Sequence, residues 1–328
     1  MLKTWHHTAP RWLPGGQLQT IWPALYARSF QGRKPEYARE RWDSPDGDFV
    51  DVDFSTHPID VKQALLVLFH GLEGSSQSHY ALAFAHWARE RKMPFSVPHF
   101  RGCSGEINRM PRAYHSGDFH EIDWILRRLK AREPQRKLLV VGISLGGNAL
   151  MRWAQEMGAS ASKVAQAVAS VCSPLDLAAA GHCIGSGLNR RIYTPMFLRT
   201  MKPKALQRLA LHPALFDRKK LEQTTDLYEF DNIFTAPLHG FQNTEDYWHR
   251  ASAKPRMAEI QIPALALNAK NDPFMPANSL PEAGKVGAHV TLWQPAHGGH
   301  VGFAQGRFPS HVHAMPNAVG QWLLDHSR

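Results

Sequence analysis

The chain has 328 residues, 43% of them hydrophobic and 20% charged, with ten Trp and sixteen Phe, which suits one large α/β domain with an insertion and excludes wholesale disorder. Its formal charge of +10 invites a polyanionic partner, yet no helix-turn-helix, zinc-finger or RNP-like pattern accompanies it, so nucleic acid is excluded. The longest apolar runs, 64–69 and 138–141, fall far short of the ~20 residues of a membrane span; the opening Met1-Leu2-Lys3-Thr4 lacks a signal peptide's apolar stretch; and Cys103, Cys172 and Cys183 form no C-x-x-C, which together fit a cytoplasmic protein.

Residues 1 to about 40, rich in Trp, Pro and Gly without clear periodicity, read as an irregular arm. Residues 41–42 and 49–54, on either side of Pro45-Asp46-Gly47-Asp48, read as a hairpin. A buried strand at 64–69, a Gly/Ser loop and a helix at 79–91 follow. Next come a strand at 94–97, the loop Arg101-Gly102-Cys103-Ser104-Gly105 and a helix at 116–131. The strand 137–141 leads into Gly142-Ile143-Ser144-Leu145-Gly146 and a helix from Gly147, and 165–172 is one more strand. This alternation predicts a mostly parallel sheet covered on both faces. From 174 to 255 the pattern turns helical, with prolines at 195, 203, 213 and 237 cutting it into short pieces. Sheet rhythm resumes at 262–267 and 289–293, and a helix at 316–326 closes the chain. The expected organisation is an arm at 1–40, an α/β core at 41–173 and 256–328, and a helical cap inserted at 174–255.

Gly142-Ile143-Ser144-Leu145-Gly146 is the chain's single G-x-S-x-G, and strand, abrupt turn and helix are the context in which that pattern forms a nucleophile elbow. The turn strains the serine backbone, and the flanking glycines avoid clashes with the neighbouring strand and helix. A serine hydroxyl needs a base to take its proton and a third group to orient that base, in the chain order Ser, acid, His. Asp272, after the strand at 262–267, is the leading acid, with Asp176 as the alternative. After the last strand, Pro295-Ala296-His297-Gly298-Gly299-His300 offers two bases. The glycines before His300 let that loop arch over the serine, which favours His300 over His297. The oxyanion donors expected on this architecture are the backbone N–H groups of Leu145 and of Leu72, in His70-Gly71-Leu72-Glu73-Gly74. His70 precedes the serine in sequence and is expected to order that loop. No P-loop, dinucleotide fingerprint or H-E-x-x-H is present, His297 and His300 lack a third metal ligand at a recognisable spacing, and no cofactor is required. His212 and Asp217 match an acyltransferase H-x-x-x-x-D, but Pro213 and Phe216 between them indicate packing.

The ordered segments Phe69-His-Gly-Leu-Glu-Gly-Ser-Ser76, His99-Phe-Arg-Gly-Cys-Ser-Gly-Glu106, Pro111-Arg-Ala-Tyr-His-Ser-Gly117, Gly142-Ile-Ser-Leu-Gly-Gly-Asn148 and Gly298-Gly-His-Val-Gly-Phe303 resemble the YheT-type α/β-hydrolases over nearly the whole chain. The resemblance implies an α/β-hydrolase fold and a Ser–Asp–His hydrolase with those roles on Ser144, Asp272 and His300. It also implies an esterase or phospholipase activity on medium-chain acyl groups. Arg101, Tyr114, His115 and Asp118 belong to these segments, and the residue types favour structural ties for them over substrate contact.

The resulting expectation is a serine carboxylester hydrolase whose substrate is a small acyl ester, with an alcohol acceptor in place of water as the acyltransferase variant. Of the cap's apolar residues, Ile192, Tyr193, Met196, Phe197, Leu198 and Phe234 either line an acyl tunnel or form the cap's own core. Between Asn189 and Lys220 stand nine Lys or Arg and one acid, Asp217. They read either as solvated helix faces balanced by the acidic stretch that follows, or as a collar for peripheral contact with an anionic lipid surface. In the rival reading the chain is a lipid-binding module with negligible turnover.

Overall fold

A computed structural model describes residues 4–327; residues 1–3 and 328, the outer ends of the predicted arm and core, lie outside it. Among the described residues one eight-stranded sheet has the order β1-β2-β4-β3-β5-β6-β7-β8. It begins with the antiparallel hairpin of β1 (Tyr37–Asp43) and β2 (Phe49–Ser55). β2 then pairs antiparallel with β4 (Phe95–Pro98), and β3 (Leu65–Phe69), β4, β5 (Leu138–Ile143), β6 (Ala167–Val171), β7 (Ala264–Leu267) and β8 (Val290–Trp293) run parallel.

The central strands are continuous hydrophobic runs because both faces are covered. In β3, Leu66 and Leu68 point to the layer that holds α2 (His79–Glu90) and the terminal helix α11 (Ala314–Asp325). The alternate residues Leu65, Val67 and Phe69 point to the layer of α3 (Phe119–Arg132) and α4 (Leu145–Met157), as a period of two demands. Burying each such side chain contributes roughly 1.5–3 kcal/mol.

Two features depart from the sequence reading. The arm is not irregular throughout: Gly15–Leu25 forms a helix, α1, and β1 already starts at Tyr37. Between β6 and β7 the chain is helical, through α5 (Leu177–Ile184), α6 (Gly187–Leu211), α7 (Arg218–Gln223), α8 (Leu227–Phe230), a π-helical turn at Asp231–Thr235, α9 (Ala236–Leu238) and α10 (Thr244–Ala251). Pro195 and Pro203 do not cut α6, which runs unbroken for 25 residues. Both prolines and the residues four before them, Arg191 and Arg199, are exposed, so water can bind the carbonyls that each proline leaves without a donor.

Candidate active site

β3, β5, β7 and β8 all deliver loops to the carboxyl edge of the sheet, where parallel α/β folds place their sites. After β5 the chain turns at Ser144 with φ 50° and ψ −121°, a strained backbone for a residue with a side chain. The flanking glycines are a steric requirement: a Cβ on Gly142 would stand 2.4 Å from Gly147 Cα, and one on Gly146 2.4 Å from the His70 carbonyl oxygen. Ser144 Oγ lies 3.0 Å from His300 Nε2, and His300 Nδ1 lies 2.9 Å from Asp272 Oδ2. The other carboxylate oxygen of Asp272 accepts the Phe274 N–H at 2.8 Å, and the Phe274 ring packs on the imidazole with centroids 4.1 Å apart. The His300 tautomer that fits both neighbours carries its proton on Nδ1, leaving Nε2 to accept from the serine hydroxyl.

Leu72 and Leu145 line the same pocket as Ser144. Their N–H groups donate to no acceptor among the described residues, and Leu145 opens α4, where the helix dipole favours negative charge. The Leu72 loop is tied from several sides. His70 Nδ1 donates to the Gly71 carbonyl (2.8 Å) and its Nε2 accepts the Phe100 N–H (3.0 Å). Burial, with His99 nearby, pulls the His70 pKa down to about 3, so it holds the loop as a neutral ring. Tyr80 Oη accepts the Gly71 N–H at 3.0 Å. Tyr114 Oη accepts the Glu73 N–H at 3.0 Å and donates to the Glu73 carboxylate at 2.8 Å. Lys204 of α6 reaches the other Glu73 oxygen at 2.7 Å, joining the helical insertion to the loop.

The pocket above Ser144 is walled by Leu177, Ile184, Phe197, Met201, Phe234 and Met275, with Asp231 and Arg208 among its polar groups. Residues 64–306 match the family profile of the alpha/beta hydrolase fold. The chain belongs to the α/β-hydrolase family. YheT of Escherichia coli (strain K12) is 36% identical to this hydrolase over 93% of the chain and 89% of its own length. Human phospholipase ABHD3 is 27% identical over 95% of the chain and 77% of its own length. The Pyrococcus furiosus esterase Pf2001 shares the fold, with a TM-score of 0.56 at 15% identity, over 92% of this chain and 97% of that one.

Most of the other residues singled out in the hydrolase's sequence hold structural positions, although Arg101, Tyr114 and His115 also line the pocket. Asp176 caps α5 by accepting the Ala179 N–H (3.1 Å) and pairs with Lys254 at 3.3 Å. His297 is exposed. His212 Nε2 donates to the Arg109 carbonyl (2.7 Å), while Asp217 caps α7. Arg101 is fixed by Glu121 at 2.5 Å and Asp46 at 2.7 Å. Burial opposes its charge, but those two carboxylates outweigh it and hold its pKa above the ordinary value. Asp118 caps α3 and binds Arg112, and His115 packs among His239, Phe241 and Tyr247. Of the six apolar residues expected in the insertion, Phe197 and Phe234 face the pocket. Tyr193 instead packs on Phe274 and bonds Gln17, Ile192 packs on the main core, Leu198 belongs to the insertion's own core and Met196 is exposed.

Gln19 and Thr20 of α1 gave no sequence signal. Gln19 Oε1 accepts the Gly298 N–H (3.0 Å) and the Asn271 side-chain N–H (2.9 Å), and Thr20 Oγ1 accepts the His300 N–H (2.8 Å). The loops carrying Asp272 and His300 are thus fastened to one helix of the arm.

Proposed function

We propose that the chain is a serine-dependent carboxylic ester hydrolase acting on lipid-like acyl esters of short to medium chain length. Ser144 Oγ attacks the ester carbonyl carbon while His300 Nε2 takes the hydroxyl proton, and Asp272 orients and stabilises the imidazolium. The negative charge that develops on the carbonyl oxygen is met by the N–H groups of Leu72 and Leu145. The carbon–oxygen bond to the alcohol then breaks, and His300 returns the proton to that oxygen. Water, deprotonated by the same nitrogen, attacks the acyl-enzyme and releases the acid. The helical insertion serves as a cap, and its apolar wall receives the acyl chain.

The observation that carries this reading is the unbroken contact series Ser144–His300–Asp272, at 3.0 and 2.9 Å, on the floor of a mostly apolar pocket. Relatives named phospholipase and monoacylglycerol lipase support the substrate class. Because such esters reside in lipid aggregates, the proposal includes peripheral contact with an anionic lipid surface.

The test is hydrolysis of p-nitrophenyl esters from acetyl to palmitoyl by the parent and Ser144→Ala proteins. The expected outcome is a serine-dependent optimum at intermediate length. Sustained turnover by purified Ser144→Ala overturns the nucleophile assignment, and activity on the acetyl ester alone overturns the lipid-like substrate.

A further inference from the structure

Helix α1 packs Ile21 and Pro23 inward yet also turns apolar surface outward. It buries Gln19 and Thr20 against the His300 loop, while Leu18, Trp22 and Leu25, spaced i, i+4, i+7 on one face, turn outward. Leu18 is 48% exposed, Leu25 64%, Tyr26 58%, Trp12 38% and Phe308 69%. Ring contacts knit the aromatic members into one patch beside Leu18 and Leu25 on the same helix face: Trp22 lies 5.5 Å from Trp12, 4.6 Å from Tyr26 and 5.3 Å from Phe308. The patch is held in shape, since Trp22 Nε1 donates to the Pro309 carbonyl at 2.9 Å and the Arg28 N–H to the Ser310 carbonyl at 3.0 Å. A contiguous, ordered aromatic surface of this kind marks an interaction site.

Charge identifies the partner. Residues 1–35 contain five Lys or Arg and no Asp or Glu, and residues 283–324 contain Lys285 and Arg307 and again no acid. Arg11, Arg28 and Arg307 are exposed within the segments that build the patch. Trp and Tyr join an apolar ring to a polar edge, which suits the headgroup depth of a bilayer, and arginines beside them attract anionic lipid. The basic stretch of the insertion carries no such aromatic patch and is partly engaged, although Arg191, Arg199, Lys219 and Lys220 stand exposed. Lys204 binds Glu73 and Arg218 binds Glu222, while Arg208 and Lys202 donate to backbone carbonyls. No helix among the described residues is long and apolar enough to cross a membrane.

We infer that the α1 face, with Phe308, is the surface by which this enzyme docks peripherally on an anionic lipid bilayer. The inference rests on the proposed lipid-ester substrate for its purpose. The same helix holds the His300 loop on its other side, so a single helix, roughly 10 Å thick, separates the bilayer from that loop.

Sedimentation of the Ser144→Ala protein with vesicles tests it, using phosphatidylcholine alone and phosphatidylcholine mixed with phosphatidylglycerol. Binding is expected on the anionic vesicles and is weakened by 0.5 M salt and by Arg28→Ser with Arg307→Ser. The double variant Leu25→Gln, Phe308→Gln is expected to bind roughly tenfold more weakly, since each change removes apolar area from the contact. Its unfolding midpoint should match the parent's, as both side chains face water. Undiminished binding by that folded variant, or no binding by the parent, overturns the proposal. Equal, salt-insensitive binding to both vesicles overturns its anionic part, and a dimer abolished by the same two changes assigns the face to a second copy. Failure of the substrate reading is separable: vesicle binding with no esterase activity in the wild type sinks that reading alone, and soluble-ester turnover without vesicle binding sinks this one alone.

Discussion

Thr20 Oγ1 lies 2.8 Å from the backbone nitrogen of His300, although 280 residues separate the two in the sequence. Thr20→Val keeps the shape and removes the acceptor. A hydrogen bond of this kind is worth about 1 kcal/mol, so kcat should fall about fivefold. KM should hold, because Thr20 does not line the pocket, and Thr20→Ser should restore the rate. A split in which KM rises while kcat stands would assign Thr20 to substrate binding and refute the positioning role. The contrast with Ser144 explains what was legible. At Gly142 the elbow is constrained by Gly146 and Gly147 within five residues, where a Cβ would strike backbone, so a short motif carries it, although Gly146 answers to the more distant His70 carbonyl. The Thr20 and Gln19 contacts exist only once the chain has folded, and no local pattern records them.

At the scale of elements, periodicity was a good guide wherever burial set the pattern, and it failed where burial did not. β3, β5 and β6 were readable because both faces are covered. α1 was not, because its apolar residues stand on both sides, Ile21 and Pro23 inward and Leu18 and Leu25 outward. α6 was divided on paper by prolines that the folded helix keeps on its wet side. The π-helical turn at Asp231–Thr235 was equally invisible, and it sets a carboxylate in the pocket wall with the Thr235 hydroxyl (2.6 Å) and Trp248 Nε1 (2.9 Å) as donors. Burial pushes the Asp231 pKa up to about 6 despite those two bonds. The folded state therefore keeps a proton that the unfolded chain, titrating near 3.8, has already lost. Stability falls as pH rises between those values, and above about 6 the penalty is constant. Asp231→Asn carries no charge at any pH and escapes that loss. Its unfolding midpoint relative to the parent should be higher at pH 8 than at pH 5. The cost of presenting an amide nitrogen to a donor is the same at both pH values and cancels in the comparison. An equal offset at pH 5 and pH 8 would mean that Asp231 titrates as it does in water.

For the whole molecule, the alternation of strand and helix and the order Ser144, Asp272, His300 disclosed the core, but not how the inserted helices are fastened to it. Much of that fastening passes through Asn148, fully buried on α4, one turn beyond the elbow. Its Nδ2 donates to the carbonyls of Ser116 and Ala251, each at 2.8 Å, and its Oδ1 accepts the Ala253 N–H at 3.0 Å. One amide thus joins the helix behind Ser144, the loop before α3 and the exit from α10. Asn148→Ala strips the partner from two acceptors and one donor, at about 1–3 kcal/mol for each buried group. A loss of about 3 kcal/mol or more in denaturant unfolding is expected. Asn148→Asp is nearly isosteric, yet it sets an oxygen against two carbonyl oxygens and buries a charge. It should therefore destabilise more than alanine does, whereas a residue that only filled space would tolerate Asp better than Ala. The order of the two unfolding midpoints, Asp below Ala, decides whether hydrogen bonding or volume holds the insertion over the site.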